Sequence, residues 1–161
     1  MTGPLREQEA KDAAQILGIT QIEFWRQPDG MLTSTPKLVE QLRSKVKSLQ
    51  PQILYVTHEG EMHPDHKVAA EIVRNALSDQ DIPIIKPLVR MFEIWTPLQN
   101  MDDIVDISPY IEVKMAAIRT HKSQCDVLRF DEAFLGLSRY RGEMFSWPQR
   151  GYAEIFLRMH I

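Results

Sequence analysis

Between Pro51 and Leu77 the sequence passes from a short apolar run, through a polar loop, into an amphipathic helix, and this order constrains the fold more than any other feature. Ile53-Leu54-Tyr55-Val56 is partly β-branched or aromatic and apolar on both faces, which predicts a buried parallel strand. Pro64 to Leu77 sets Val68, Ala69, Ile72, Val73 and Ala76 on one helical face. Strand, loop and helix in this order build parallel sheets, and ligands bind in the loops at the carboxyl ends of their strands. A helix N-terminus adds backbone donors and the positive end of a dipole to such a loop.

The rest of the chain repeats the theme. Ala10, Ala13, Ala14 and Leu17 recur at helical spacing between Leu5 and Leu17, and Gly18 follows as a C-terminal stop. Ile19 to Trp25 alternates enough to predict a short strand, closed by the turn Pro28-Asp29-Gly30. Pro36 to Leu49 predicts a second helix, with Thr35 as N-cap and Leu38, Val39, Leu42, Val46 and Leu49 on one stripe. Ile84 to Trp95 reads as a broken extended stretch and Ile104 to Ile107 as another strand. Ser108-Pro109 starts a helix running to Lys122, and Asp131 to Arg141 is helical in pattern. Ala153 to Leu157 fits either a closing strand or a short helix. The expected architecture is α/β, a mainly parallel Rossmann-like sheet flanked by helices, in a single domain of residues 1–161.

Charge and cysteine content narrow the function classes. With 19 Lys and Arg against 22 Asp and Glu, the net charge of −3 gives no reason to expect nucleic acid or an anionic membrane as the main partner. Cys125 is the only cysteine, which excludes an intrachain disulfide and a four-Cys zinc site but leaves histidine and carboxylate metal sites open. No apolar stretch approaches the roughly 20 residues of a membrane span, and no apolar leader follows Met1, so a cytoplasmic protein is expected. A homo-oligomer is left open.

The loop Thr57 to His66 holds three of the five histidines. His63 and His66 are three apart, Pro64 suits a first helical turn, and Asp65 lies between them as an orienting partner for an imidazole. The same residues also suit a solvated connection in which Asp65 only favours the helix dipole.

His63-Pro64-Asp65-His66 reproduces the second signature of the PIG-L / LmbE-like zinc-dependent N-deacetylases, which the chain resembles over nearly its whole length. Arg6 and Glu9 with Ala13 and Leu17-Gly18 resemble that family's R-x-x-E helix, and Phe24 to Leu32 its following strand and loop. Glu93-Ile94-Trp95-Thr96-Pro97 resembles its central strand. Lys114 to Gln124 and Tyr152-Ala153-Glu154-Ile155-Phe156 resemble its C-terminal segments. The resemblance implies zinc-assisted hydrolysis of an N-acetyl group on an N-acetylglucosamine-type sugar or glycoside. His66 would then be a zinc ligand, His63 would stabilise the oxyanion or protonate the leaving amine, and Asp65 would hold His63 in its working tautomer. Arg6 and Asp29 resemble the substrate-binding positions, the alternatives being an intrahelical partner for Glu9 and a turn-forming Asp respectively.

The family's first signature, A-H-P-D-D-E, supplies the other zinc ligands and the general base, and the chain does not contain it. A catalytic zinc takes three protein ligands, and the matching residues supply one, with His58, Glu59 and Glu61 as substitutes in the same loop. The fold is accordingly expected to be incomplete at its N-terminus, with an open sheet edge. A fragment or mis-started gene reading is expected ahead of a degenerate homologue or a half-protein that needs a partner segment. Elsewhere, His121 with Ser123 and Gln124 reads as a helix-terminal hydrogen-bonding cluster, and Glu154 as a pocket residue or a partner of Arg150 or Arg158. Trp25, Trp95 and Trp147 read as core or pocket-rim packing.

Overall fold

The computed structural model describes residues 3–78, 86–145, 148 and 151–161. In chain order these form α1 (Gly3–Ile16), α2 (Pro36–Leu49), β1 (Ile53–Thr57), α3 (Pro64–Leu77), β2 (Leu88–Phe92) and β3 (Asp103–Asp106). A single 3-10 turn (Ser108–Tyr110) leads to α4 (Ile111–Arg119), α5 (Lys122–Cys125), α6 (Phe130–Phe145) and β4 (Ala153–Arg158). The sheet order is β1-β2-β4-β3. The α/β class stands, and the sheet is mixed: β1 pairs with β2 in parallel, whereas β2 and β4 run antiparallel. No helix among the described residues is long and apolar enough to cross a membrane. The chain divides into two compact units, Gln27–Asp103 with Ile155–Ile161, and Met1–Arg26 with Ile104–Glu154.

In the Gln27–Asp103 unit, the two helices begin and end where the sequence predicts. Thr35 Oγ1 accepts the Leu38 N–H at 3.3 Å with Pro36 opening α2, and Pro64 opens α3 behind His63. Strand side chains alternate between faces, so Leu54 and Val56 of β1, Val89 and Met91 of β2, and Leu157 and Met159 of the last segment share one face. They form the core with Leu42 and Val46 of α2 and with Ala70, Val73 and Leu77 of α3. The other face is less covered: Ile53 and Tyr55 are 41% and 51% exposed. β1 is thus exposed on this face at Ile53 and Tyr55, with Thr57 buried at its end, and it is an edge strand among the described residues.

That second face carries a charged row. Tyr55 pairs in register with Arg90, and Arg90 with Arg158. Arg90 Nε donates to Asp103 at 3.2 Å and Arg158 Nε donates to it at 3.0 Å. The Arg158 hydrogen bond, helped by Arg90, holds the Asp103 carboxyl below the usual range against the opposing effect of burial. Because the folded pKa is depressed, the stabilisation is full above the unfolded value of about 4 and is lost as pH falls through the folded one. Asp103→Asn is therefore expected to lower stability by about 1 kcal/mol at neutral pH. In urea titrations repeated at falling pH, the gap from the parent chain should close once the parent's Asp103 is protonated.

In the other unit, α1 ends as expected, with Gly18 at φ 69° and the Ile19 N–H donating to Ala14 O at 2.9 Å. Ile19 to Trp25 forms no strand. Ile19 and Ile22 are exposed, and the segment is anchored instead at its end, where Arg26 Nε donates to Glu7 at 2.8 Å. The single helix expected from Ser108 to Lys122 is divided. Asp106 Oδ1 accepts from Ser108 N and Oγ and tightens a 3-10 turn, and α4 stops at Arg119 before α5 starts at Lys122. Ala153 to Leu157 resolves as strand β4.

Candidate active site

The loop between β1 and α3 is built around a buried acid. Glu61 is 0% exposed, and its carboxylate accepts the backbone N–H groups of Ile94 (2.7 Å), Trp95 (3.1 Å) and Thr96 (3.1 Å). Its Oε2 also lies 3.2 Å from His66 Nδ1, and its Oε1 lies 3.4 Å from His58 Nε2. Burial alone would raise the Glu61 pKa, but the three backbone donors and His66 outweigh it and hold the carboxyl below its ordinary value. Residues 94–96 form a bend after β2 rather than the strand expected for Glu93 to Pro97. Further bonds tie the bend to the loop: Met62 N donates to Thr96 Oγ1 at 2.9 Å, and His58 Nε2 donates to Thr96 O at 2.7 Å.

The three histidines have different surroundings. His58 is buried, and its Nδ1 accepts from Gly60 N at 3.1 Å while Nε2 faces Thr96 O, so backbone groups occupy both nitrogens. His63 caps α3 without a side-chain cap bond, packs its ring 4.7 Å from that of His66 and stacks near Trp95 at 6.4 Å. Its Nδ1 is buried and has no hydrogen-bond partner among the described residues. His66 is half-buried, uses Nδ1 toward Glu61, and has no protein partner for Nε2 among the described residues.

Asp65 does not take the place expected from its position beside His63. Its Oδ2 accepts Gly30 N at 2.7 Å and its Oδ1 accepts Leu32 N at 3.0 Å, so it clamps the turn that carries Asp29. From the first turn of α3 the carboxylate meets two free backbone donors of that turn, and it is committed to them instead of to the imidazole. Asp29 itself is exposed at the tip, beside Gly30 at φ 75°. The fold therefore gathers Asp29, His63, Asp65 and His66 into one unit, whereas Arg6 lies on α1 in the other.

As a donor set for the zinc implied by the resemblance, this loop falls short. His66 Nε2 offers one nitrogen, Glu61 and His58 are consumed by backbone groups, and Glu59 is paired with Arg74 at 2.6 Å. Among the described residues no group of three His, Cys, Asp or Glu side chains could hold a metal ion. The loop thus supplies one directed nitrogen rather than the three ligands of a catalytic zinc.

Other expected residues settle elsewhere. Glu9 is buried and accepts from Ser123 N (2.8 Å) and Oγ (2.7 Å), while His121 sits between α4 and α5. Glu154 pairs with Lys114 at 2.6 Å rather than with Arg158. Trp147 and Arg150 lie outside the described residues. In the sequence Glu61 reads only as a substitute ligand, and the one signal for its larger part is a carboxylate two residues before His63.

A family described as PIG-L: GlcNAc-PI de-N-acetylase matches residues 1–77. Diacetylchitobiose deacetylase of Thermococcus kodakarensis is 29% identical over 158 residues, and the match covers 86% of this chain and 58% of that protein. The chain thus spans well under two thirds of the curated relative's length. The crystal structure of the conserved protein TT1542 from Thermus thermophilus superposes with a TM-score of 0.83 at 24% identity, covering 100% of this chain and 77% of the other. GalB of Pseudomonas putida, a 4-carboxy-2-hydroxymuconate hydratase, superposes at 0.73 with 20% identity, covering 100% and 75%. These two likenesses bear on the fold alone. The resemblance to the PIG-L / LmbE-like deacetylases is borne out by the family match and by the curated relative.

Proposed function

We propose, from the kinship of residues 1–77 with the PIG-L family, that this chain takes part in hydrolysing the N-acetyl group of an N-acetylglucosamine-type sugar or glycoside. One observation carries the reading: His63-Pro64-Asp65-His66 forms the N-terminal turn of α3 directly beyond a parallel strand, where a helix dipole and free imidazole nitrogens meet. In this reading the His63 imidazole donates to the oxygen on which negative charge develops, or to the departing amine. Asp29 meets sugar hydroxyls from its exposed turn, and Asp65 serves by fixing that turn. Arg6 is retained as a substrate-binding residue on the ground of the R-x-x-E resemblance alone. Zinc belongs to the same proposal with His66 as one ligand, and no step is routed through it. A single deacetylase domain over residues 1–161 and a cytoplasmic setting, in keeping with the lone Cys125, complete the reading.

The short donor set favours a second reading, a sugar-binding homologue without hydrolytic activity. The likeness to a hydratase also shows that the fold is not tied to deacetylation. Incubating the purified chain with N,N'-diacetylchitobiose and zinc, and measuring acetate and free amine, separates the two. Release above a protein-free control supports hydrolysis. Saturable binding of the sugar without release supports the second reading, and neither binding nor release overturns both.

A further inference from the structure

An ionised carboxylate accepts hydrogen bonds and donates none. Glu61 is fully buried and is pinned by three backbone N–H groups that owe nothing to any histidine. An acceptor is thereby fixed 3.2 Å from His66 Nδ1. A proton on Nδ1 makes that contact a hydrogen bond, and a neutral imidazole has only one proton, so Nε2 is left with its electron pair bare. The backbone around His58 imposes the reverse arrangement, with Nδ1 as acceptor and Nε2 as donor. His58 and His66 are thus set in opposite tautomers, His58 by Gly60 N and Thr96 O, and His66 by Glu61, which the backbone of residues 94–96 pins.

We propose that Glu61 is a positioning residue for His66, holding it in the Nδ1–H tautomer so that a bare Nε2 faces what binds at the start of α3. The proposal rests on the reading of His66 as a site residue given above, and it adds the group that sets this residue's hydrogen-bonding polarity. If Glu61 served only to hold the bend at residues 94–96, it would impose no tautomer on His66.

The test is nitrogen-15 NMR of the histidine side chains in the full chain, at about pH 8, above the ordinary imidazole range. In the unmodified protein His66 is expected as Nδ1–H over Nε2–H by at least about tenfold, the preference of a charge-assisted hydrogen bond. In Glu61→Gln, whose amide can turn an N–H toward Nδ1, that ratio is expected to fall below one while His58 keeps its Nε2–H form. A His66 that is mainly Nε2–H in the unmodified protein overturns the proposal. So does an unchanged ratio in a variant with a dispersed, folded spectrum. If the variant does not fold, the spectrum of the unmodified protein decides alone. Acetate release is a separate readout: the expected tautomer without hydrolysis leaves this assignment standing and counts against the proposed reaction, and the converse also holds.

Discussion

Glu61→Ala is expected to destabilise the Gln27–Asp103 unit by about 3–5 kcal/mol, a large share of the 5–15 kcal/mol that holds a typical domain together. The physical reason is the asymmetry between making and losing a buried hydrogen bond. Truncation removes the common acceptor of the Ile94, Trp95 and Thr96 N–H groups and strands a volume that nothing else fills, since the side chain is 0% exposed. It also releases His66 Nδ1. Glu61→Gln retains an acceptor oxygen and should lose far less. Urea titration followed by circular dichroism checks both variants. A loss under about 1 kcal/mol for the alanine variant would show that water replaces the carboxylate at little cost.

The second large effect lies in the other unit and depends on a glycine in α6. A Cβ built on Gly142 would fall 2.5 Å from the carbonyl carbon of Gly151 and 2.8 Å from Tyr152 N. These are backbone atoms leading into β4, so no side chain can swing aside. Gly142→Ala should cost about 2–3 kcal/mol, seen as a drop in Tm of about 5–10 °C. Gly136 in the same helix is the control, because its Cβ would meet nothing within 4 Å. There the same substitution should stabilise, by up to about 1 kcal/mol, through better helix propensity. Two substitutions of one kind, in the same helix, are expected to differ in sign, and calorimetry of both tests the close approach directly.

The contrast between the segments shows what the sequence could disclose. Helices α2 and α3 were legible to the residue because their signals are local: Thr35 with Pro36, His63 with Pro64, and an apolar stripe on each. Ile19 to Trp25 misled because alternation describes side chains, while a strand also needs a neighbour for its backbone, and that neighbour is not encoded in the segment. The same limit governed the site. The motif and its place after a strand were readable, but the partners of its carboxylates were not. Its position in the motif pairs Asp65 with His63, whereas its carboxylate binds Gly30 and Leu32, 35 and 33 residues away. Glu61 looked like a spare ligand until the bend at residues 94–96 brought three N–H groups to it.

The Asp65 clamp has a consequence in the thermodynamics of recognition. A turn such as Pro28 to Gly30, left to itself, would sample many conformations, and a ligand that needed Asp29 in one of them would lose affinity to the ordering. With the Gly30 and Leu32 amides already committed to a carboxylate rooted in α3, that entropy is lost during folding rather than on encounter. The turn is ordered together with the helix before any encounter, and a contact made at Asp29 would carry little ordering penalty.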